Sequence, residues 1–288
     1  MGVSQDSAPQ EQAVAENERV IVDVGAAAAA ERVRRPNVLP PIAREVAPLA
    51  LRRWLAAGWS DLRAFWPINA FFGLAFVSMG LLLALVFTQA PAYLMAAISG
   101  FLLVGPFVCT GCYELSHRRE RGAACSLWCA ATAFRGSLKN ITIFAVLLLI
   151  LELLWGRASL VLFALFYEGG IPDSADVLAS FLRLENAAFV IAYLLVGGFF
   201  AALVFITAVV AIPMLLDRPV DAITAGLTSF RVCLAHPLPL ALWAAAIVLL
   251  TVLAMLPAFL GLIVVGPWLG HATWHAYREL VPREEAAD

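Results

Sequence analysis

Residues 64–113 read AFWPINAFFGLAFVSMGLLLALVFTQAPAYLMAAISGFLLVGPFVCTGCY, 50 residues without one Asp, Glu, Lys or Arg. A helix needs about 20 apolar residues to cross a bilayer. The run is therefore long enough for two crossings, and Thr88-Gln89-Ala90-Pro91 in its middle supplies the turn of a hairpin. The pattern recurs near the other end of the chain. Val232 to Tyr277 is a run of 46 uncharged residues, with Leu256-Pro257 at the tip. Between the two lie a third apolar segment, Ile141 to Tyr167, and a fourth, Ala187 to Leu216. The expected fold is an all-α polytopic membrane bundle of six transmembrane helices, paired as three hairpins.

Composition points the same way. Hydrophobic residues make up 62% of the chain and charged residues 14%, against about 25% charge in a soluble domain. Mean hydropathy is +0.87. So few polar side chains cannot cover a folded surface of 288 residues in water.

The charges that do occur are distributed unevenly, and short-loop Lys and Arg orient a membrane protein. Of 19 basic residues, 17 fall on the side that receives both termini; Arg157 lies within a span and Arg183 lies opposite, in the acidic loop Glu168 to Glu185. Both ends are thus expected in the cytoplasm. Residues 1–47 read as a disordered tail, residues 48–281 as the six-span domain and residues 282–288 as a short C-terminal tail. The first 31 residues show no basic start followed by an apolar run, so no signal peptide is expected. The five cysteines sit near the side assigned to the cytoplasm, so a disulfide framework is not expected.

Two heptapeptides match at an offset of 161 residues: Gly100-Phe-Leu-Leu-Val-Gly-Pro106 and Gly261-Leu-Ile-Val-Val-Gly-Pro267. A weaker third copy runs from Phe134-Arg135 to Ile212-Pro213. Each unit would be a short amphipathic helix on the cytoplasmic surface followed by a hairpin, giving a parallel threefold repeat. Pro106, Pro213 and Pro267 each remove the donor for a carbonyl four residues earlier and should kink their helices. Such kinks serve either a cytoplasm-facing vestibule or static packing.

Chemistry-bearing residues gather at two span ends. His271 and His275 are one turn apart and share a helix face, a spacing that suits two ligands of one metal ion. Glu114, Cys109 and Cys112 are the neighbouring donors for such a site. Against this, His, Trp and Tyr also serve as interfacial anchors, and buried Cys as a small hydrophobe. No cofactor is expected under that second reading. Within the third span Glu152 and Arg157 are five residues apart, poorly placed to pair directly on one helix. They read as a structural pair of intramembrane charges or as parts of a transport path. Arg118, Arg119 and Arg121 read as topology determinants that touch lipid phosphates. That basic surface is too small for nucleic acid.

No Walker loop, nucleophile elbow or dinucleotide fingerprint is present, so a catalytic role is not expected. The leading reading is a non-enzymatic scaffold or permeation-related module. The alternative is a metal- or redox-linked membrane protein with a cytoplasm-facing His/Cys site. Gly73, Gly80, Gly197, Gly198 and Gly261 permit close helix contacts, compatible with a homo-oligomer or a membrane-protein partner.

Several of these segments resemble the domain of unknown function 2189 family. The residues concerned are Gly105-Pro106, Tyr113-Glu114-Leu115-Ser116 and Glu120-Arg121-Gly122, then Pro213 to Arg218 and Gly270-His271-Ala272-Thr273-Trp274-His275 with Tyr277-Arg278. The resemblance spans roughly Leu51 to Val281. It implies a bacterial, multi-pass protein of the inner membrane, and no particular activity.

Overall fold

The computed structural model describes residues 39–89, 94–167 and 186–283, with the side chains of 94–104 and 106 outside that description. The chain divides into Met1–Leu39 and Pro40–Asp288, and the described helices all belong to the second unit. Among the described residues every regular element is helical. The order is α1 (Leu51–Ala64), α2 (Trp66–Gln89), α3 (Leu94–Glu120), α4 (Leu127–Ala131), a 3-10 turn (Ala133–Ser137), α5 (Leu138–Phe166), α6 (Ala187–Ala208), α7 (Ala211–Asp217), α8 (Ala222–Ala235), α9 (Pro237–Met255) and α10 (Leu262–Leu280). Helix is what such a sequence demands, because only a helix or a closed barrel satisfies its own backbone in lipid.

Among the described residues four stretches are long and apolar enough to cross a membrane: Trp66–Gln89, Leu127–Phe166, Ala187–Asp217 and Pro237–Met255. The six expected spans are therefore matched in part, with α3 and α10 outside the four. In α10 the residues His271, His275, Arg278 and Glu279 dilute the apolar content. They are tolerated because α10 is enclosed by α1, α2, α3 and α9 and turns most of its length into protein.

Close backbone approach makes that enclosure possible. A Cβ at Gly58 of α1 would lie 2.6 Å from the Ala272 nitrogen of α10. One at Gly73 of α2 would lie 2.7 Å from the Ile263 carbonyl carbon and nearer still to its oxygen. Ile263 is the residue whose helical donor Pro267 removes. α2 therefore packs its backbone directly on the carbonyl that loses its regular helical donor at Pro267. Aromatic contacts complete the packing. Trp54 meets Trp243 edge to face at 5.8 Å, and the Trp268 indole donates to the Leu55 carbonyl at 2.8 Å. Gly80 and Gly261 are likewise in tight contact within the chain, Gly197 faces Trp155, and Gly198 has nothing within 4 Å.

The three prolines act differently. Pro106 and Pro267 lie inside continuous helices. Before Pro213 the helix is interrupted, α6 ending at Ala208 and α7 starting at Ala211. The freed groups are taken up by Ser229 of α8. Its hydroxyl donates to the Ile206 carbonyl at 2.6 Å and accepts from the Val210 amide at 3.2 Å, replacing the direct bond a regular helix would make between them.

Residues 40–47, assigned to the tail by sequence, are in part held to the domain. The Ala43 amide donates to the Leu280 carbonyl at 2.9 Å, and His236 Nε2 lies 2.9 Å from the Ala43 carbonyl. At the other end Arg283 bonds Asp217 at 2.6 Å. Residues 1–38, the turn at 90–93 and the acidic loop at 168–185 lie outside the described residues.

Candidate functional site

Two features stand on either side of α10. The first is a buried polar chain. On α1, Trp54, Gly58, Asp61 and Leu62 recur at helical spacing and are all buried, so the helix presents one acid to the interior. Ser116 Oγ of α3 lies 2.5 Å from Asp61 Oδ2 and 2.7 Å from His271 Nδ1. His271 Nε2 lies 3.0 Å from Asn69 Oδ1, and the Asn69 amide is oriented by donating to the Leu62 carbonyl at 3.1 Å. Asn69, Ser116 and His271 are fully buried. Asp61 also accepts from His275 Nε2 at 2.8 Å and from Arg119. Burial alone would raise its carboxyl, but the hydrogen bonds from His275 and Ser116 outweigh this and hold it at about 2.

Proton accounting constrains what this chain can do. Three contacts in series need three protons, while Ser116 and a neutral imidazole supply two. With Asp61 ionised and His271 neutral, the single Ser116 proton serves one neighbour at a time. One further proton completes the series. The order also differs from a nucleophilic triad, in which the histidine stands between acid and hydroxyl. Here the hydroxyl stands between acid and histidine, and it is sealed from solvent.

A second set of bonds ties the end of α10 to α3 and α7. Glu120 accepts from the Trp274 indole at 2.8 Å and from Arg278 at 3.1 Å. Asp217 accepts from the Tyr277 hydroxyl at 2.7 Å. Arg218 donates to the carbonyls of Val281 and Pro282 at 2.7 and 2.9 Å, capping the chain as it leaves α10.

The other feature is a cavity of about 460 Å³ bordered by α2, α3, α5, α6, α7, α9 and α10. Its wall is mostly apolar, from Phe76, Trp155, Phe200 and Ile247 among others. Glu152, Tyr113, Thr251, Thr273 and Cys109 add the polar groups.

The residues singled out by sequence are thus distributed among several environments. His271 and His275 both join the Asp61 network, and both His271 nitrogens are engaged. Cys109 and Cys112 pack against Gly270. Glu114 turns to Arg118 at 2.6 Å. Among the described residues no group of three or more His, Cys, Asp or Glu is arranged to hold a metal ion. Glu152 is buried at the cavity while Arg157, on the same helix, is exposed. Arg119 is committed to Asp61 and Ser60, and Arg121 is exposed. Sequence reasoning missed Asp61, Asn69 and Ser116. Asp61 carried a usable signal, an acid on the apolar face of an amphipathic helix.

Residues 94–217 match the family described as predicted integral membrane protein (DUF2189). The chain is accordingly an integral membrane protein of a lipid bilayer. The DUF2189 match runs from α3 to α7 and supplies Ser116, Arg119, Glu120 and Asp217; Asp61, Asn69 and all of α10 lie beyond it. No curated protein and no solved structure matches the chain.

Proposed function

We propose that this chain is a non-enzymatic, permeation-related module of the bacterial inner membrane whose central cavity takes up a small amphipathic molecule. In this reading α3 and α10 join the four apolar stretches as further spans. The six form three parallel hairpins related by the internal repeat, with both termini in the cytoplasm. The bias of 17 basic residues to one side supports that orientation. In an otherwise cysteine-free protein, Arg121→Cys should resist a membrane-impermeant maleimide in sealed cells and react once the membrane is opened. Modification in sealed cells would reverse the topology.

The cavity carries the functional reading. A mostly apolar space with a few convergent polar groups is the usual form of a small-molecule site. An acid at intramembrane depth is costly and generally faces a protein interior or an aqueous path. Glu152 lines this space, which favours a ligand with an apolar body and one cationic group.

Tetraphenylphosphonium binding to the full-length protein in nanodiscs tests this. Saturable binding is expected, weakened at least about tenfold by Glu152→Gln, equivalent to about 1.4 kcal/mol, and abolished when Ala201→Trp fills the cavity. Uptake no greater than in empty nanodiscs would sink the proposal.

A further inference from the structure

A pair of cysteines outside both features lies where α3 passes into α4. Cys125 precedes Ser126, the residue that caps α4, and Cys129 lies within that helix. Their sulfur atoms are in direct contact, four residues apart at the start of α4. Both are free thiols and both are partly exposed, among the exposed residues Ala123, Ala124, Ser126 and Trp128.

The surroundings assign a different role to each sulfur. Cys125 donates to the Cys129 sulfur, and the Cys129 thiol in turn lies 4.0 Å from Glu114 Oε1. Glu114 is held by Arg118 at 2.6 Å, and Arg118 also reaches the Ala124 carbonyl at 3.3 Å. A cation and a carboxylate thus flank the pair. Burial, and then the Cys129 sulfur beside it, push the Cys125 thiol up to about 12, so it stays protonated and remains a donor.

We propose that Cys125 and Cys129 form a thiol–disulfide exchange site for small disulfides, with Cys129 the attacking sulfur and Cys125 the resolving one. Cys129 loses its proton to solvent and, as a thiolate beside the Arg118 guanidinium, attacks a disulfide RSSR, forming a mixed disulfide and expelling one thiolate. Cys125 then attacks the Cys129 sulfur, closing the intramolecular bond and expelling the second thiolate. The protons of the two cysteines end on the two released RSH molecules. Two thiols are oxidised and one disulfide is reduced. In a reducing compartment the product is reversible.

The experiment exposes the full-length protein in nanodiscs to oxidised glutathione, quenches with iodoacetamide and analyses tryptic peptides by mass. Residues 122–135 form one such peptide, and it carries both cysteines. In the wild type it should become lighter by two hydrogens and regain them with dithiothreitol. Cys125→Ser should stop at a glutathione adduct on Cys129, and Cys129→Ser should react at least about tenfold more slowly. Two alkylated thiols in the oxidised wild type would overturn the site. Equal adduct formation in both single variants would overturn the assignment of roles.

Discussion

Gly73→Ala is expected to destabilise the protein by about 3 kcal/mol or more, at the upper end of the range for overpacking. The new methyl would sit 2.7 Å from the Ile263 carbonyl carbon and closer still to the oxygen. Neither atom can yield as a flexible side chain would, so α2 and α10 must separate. Gly198→Ala is the control, because nothing lies within 4 Å of its Cβ position. Alanine there should be neutral or slightly stabilising, by helix propensity. Thermal unfolding of the detergent-solubilised variants distinguishes them. A Gly73→Ala protein that melts with the wild type would refute the close packing.

Asp61→Ala should cost about 3–5 kcal/mol, the usual penalty for removing one partner of a buried charged network. Ser116, His275 and Arg119 all lose at once the acceptor they share. The loss should depend on pH. The folded carboxyl is held at about 2, below the ordinary aspartate value of 3.8. A depressed folded pKa stabilises fully above the unfolded value, and that stability is lost as pH falls through the folded one. Roughly 2 kcal/mol of the difference between wild type and variant should therefore disappear as pH falls from about 5 to about 2 and below. Parallel unfolding curves across that range would show that Asp61 is not the ionised centre of the network.

Much of the architecture was legible because lipid imposes a simple rule. Long uncharged runs must be helical, and the four apolar stretches lie along the runs from which they were read, although one begins at Leu127, upstream of the expected Ile141. The breaks were less legible. Pro213 announced a kink, but its repair by Ser229 depends on a residue from the next helix. The polar end of α10 was recognised as unusual, yet its histidines were read through their i, i+4 spacing. That spacing says which residues share a face and nothing about what the face meets. His271 and His275 reach the same carboxylate on α1, one through Ser116 and the other directly, across 210 and 214 positions of chain.

That this is a helical integral membrane protein follows from the order of residues, because the free energy of placing charge and open backbone in lipid depends on composition along the chain. The enclosure of α10, too polar to stand against lipid, and the linking of Asp61, Ser116, His271 and Asn69 into one chain of contacts came only with the packed helices. Those contacts rest on the approach of separate helices to within a few ångströms, set by the placing of Gly58 and Gly73 against the α10 backbone. No local pattern encodes which backbone a glycine will meet.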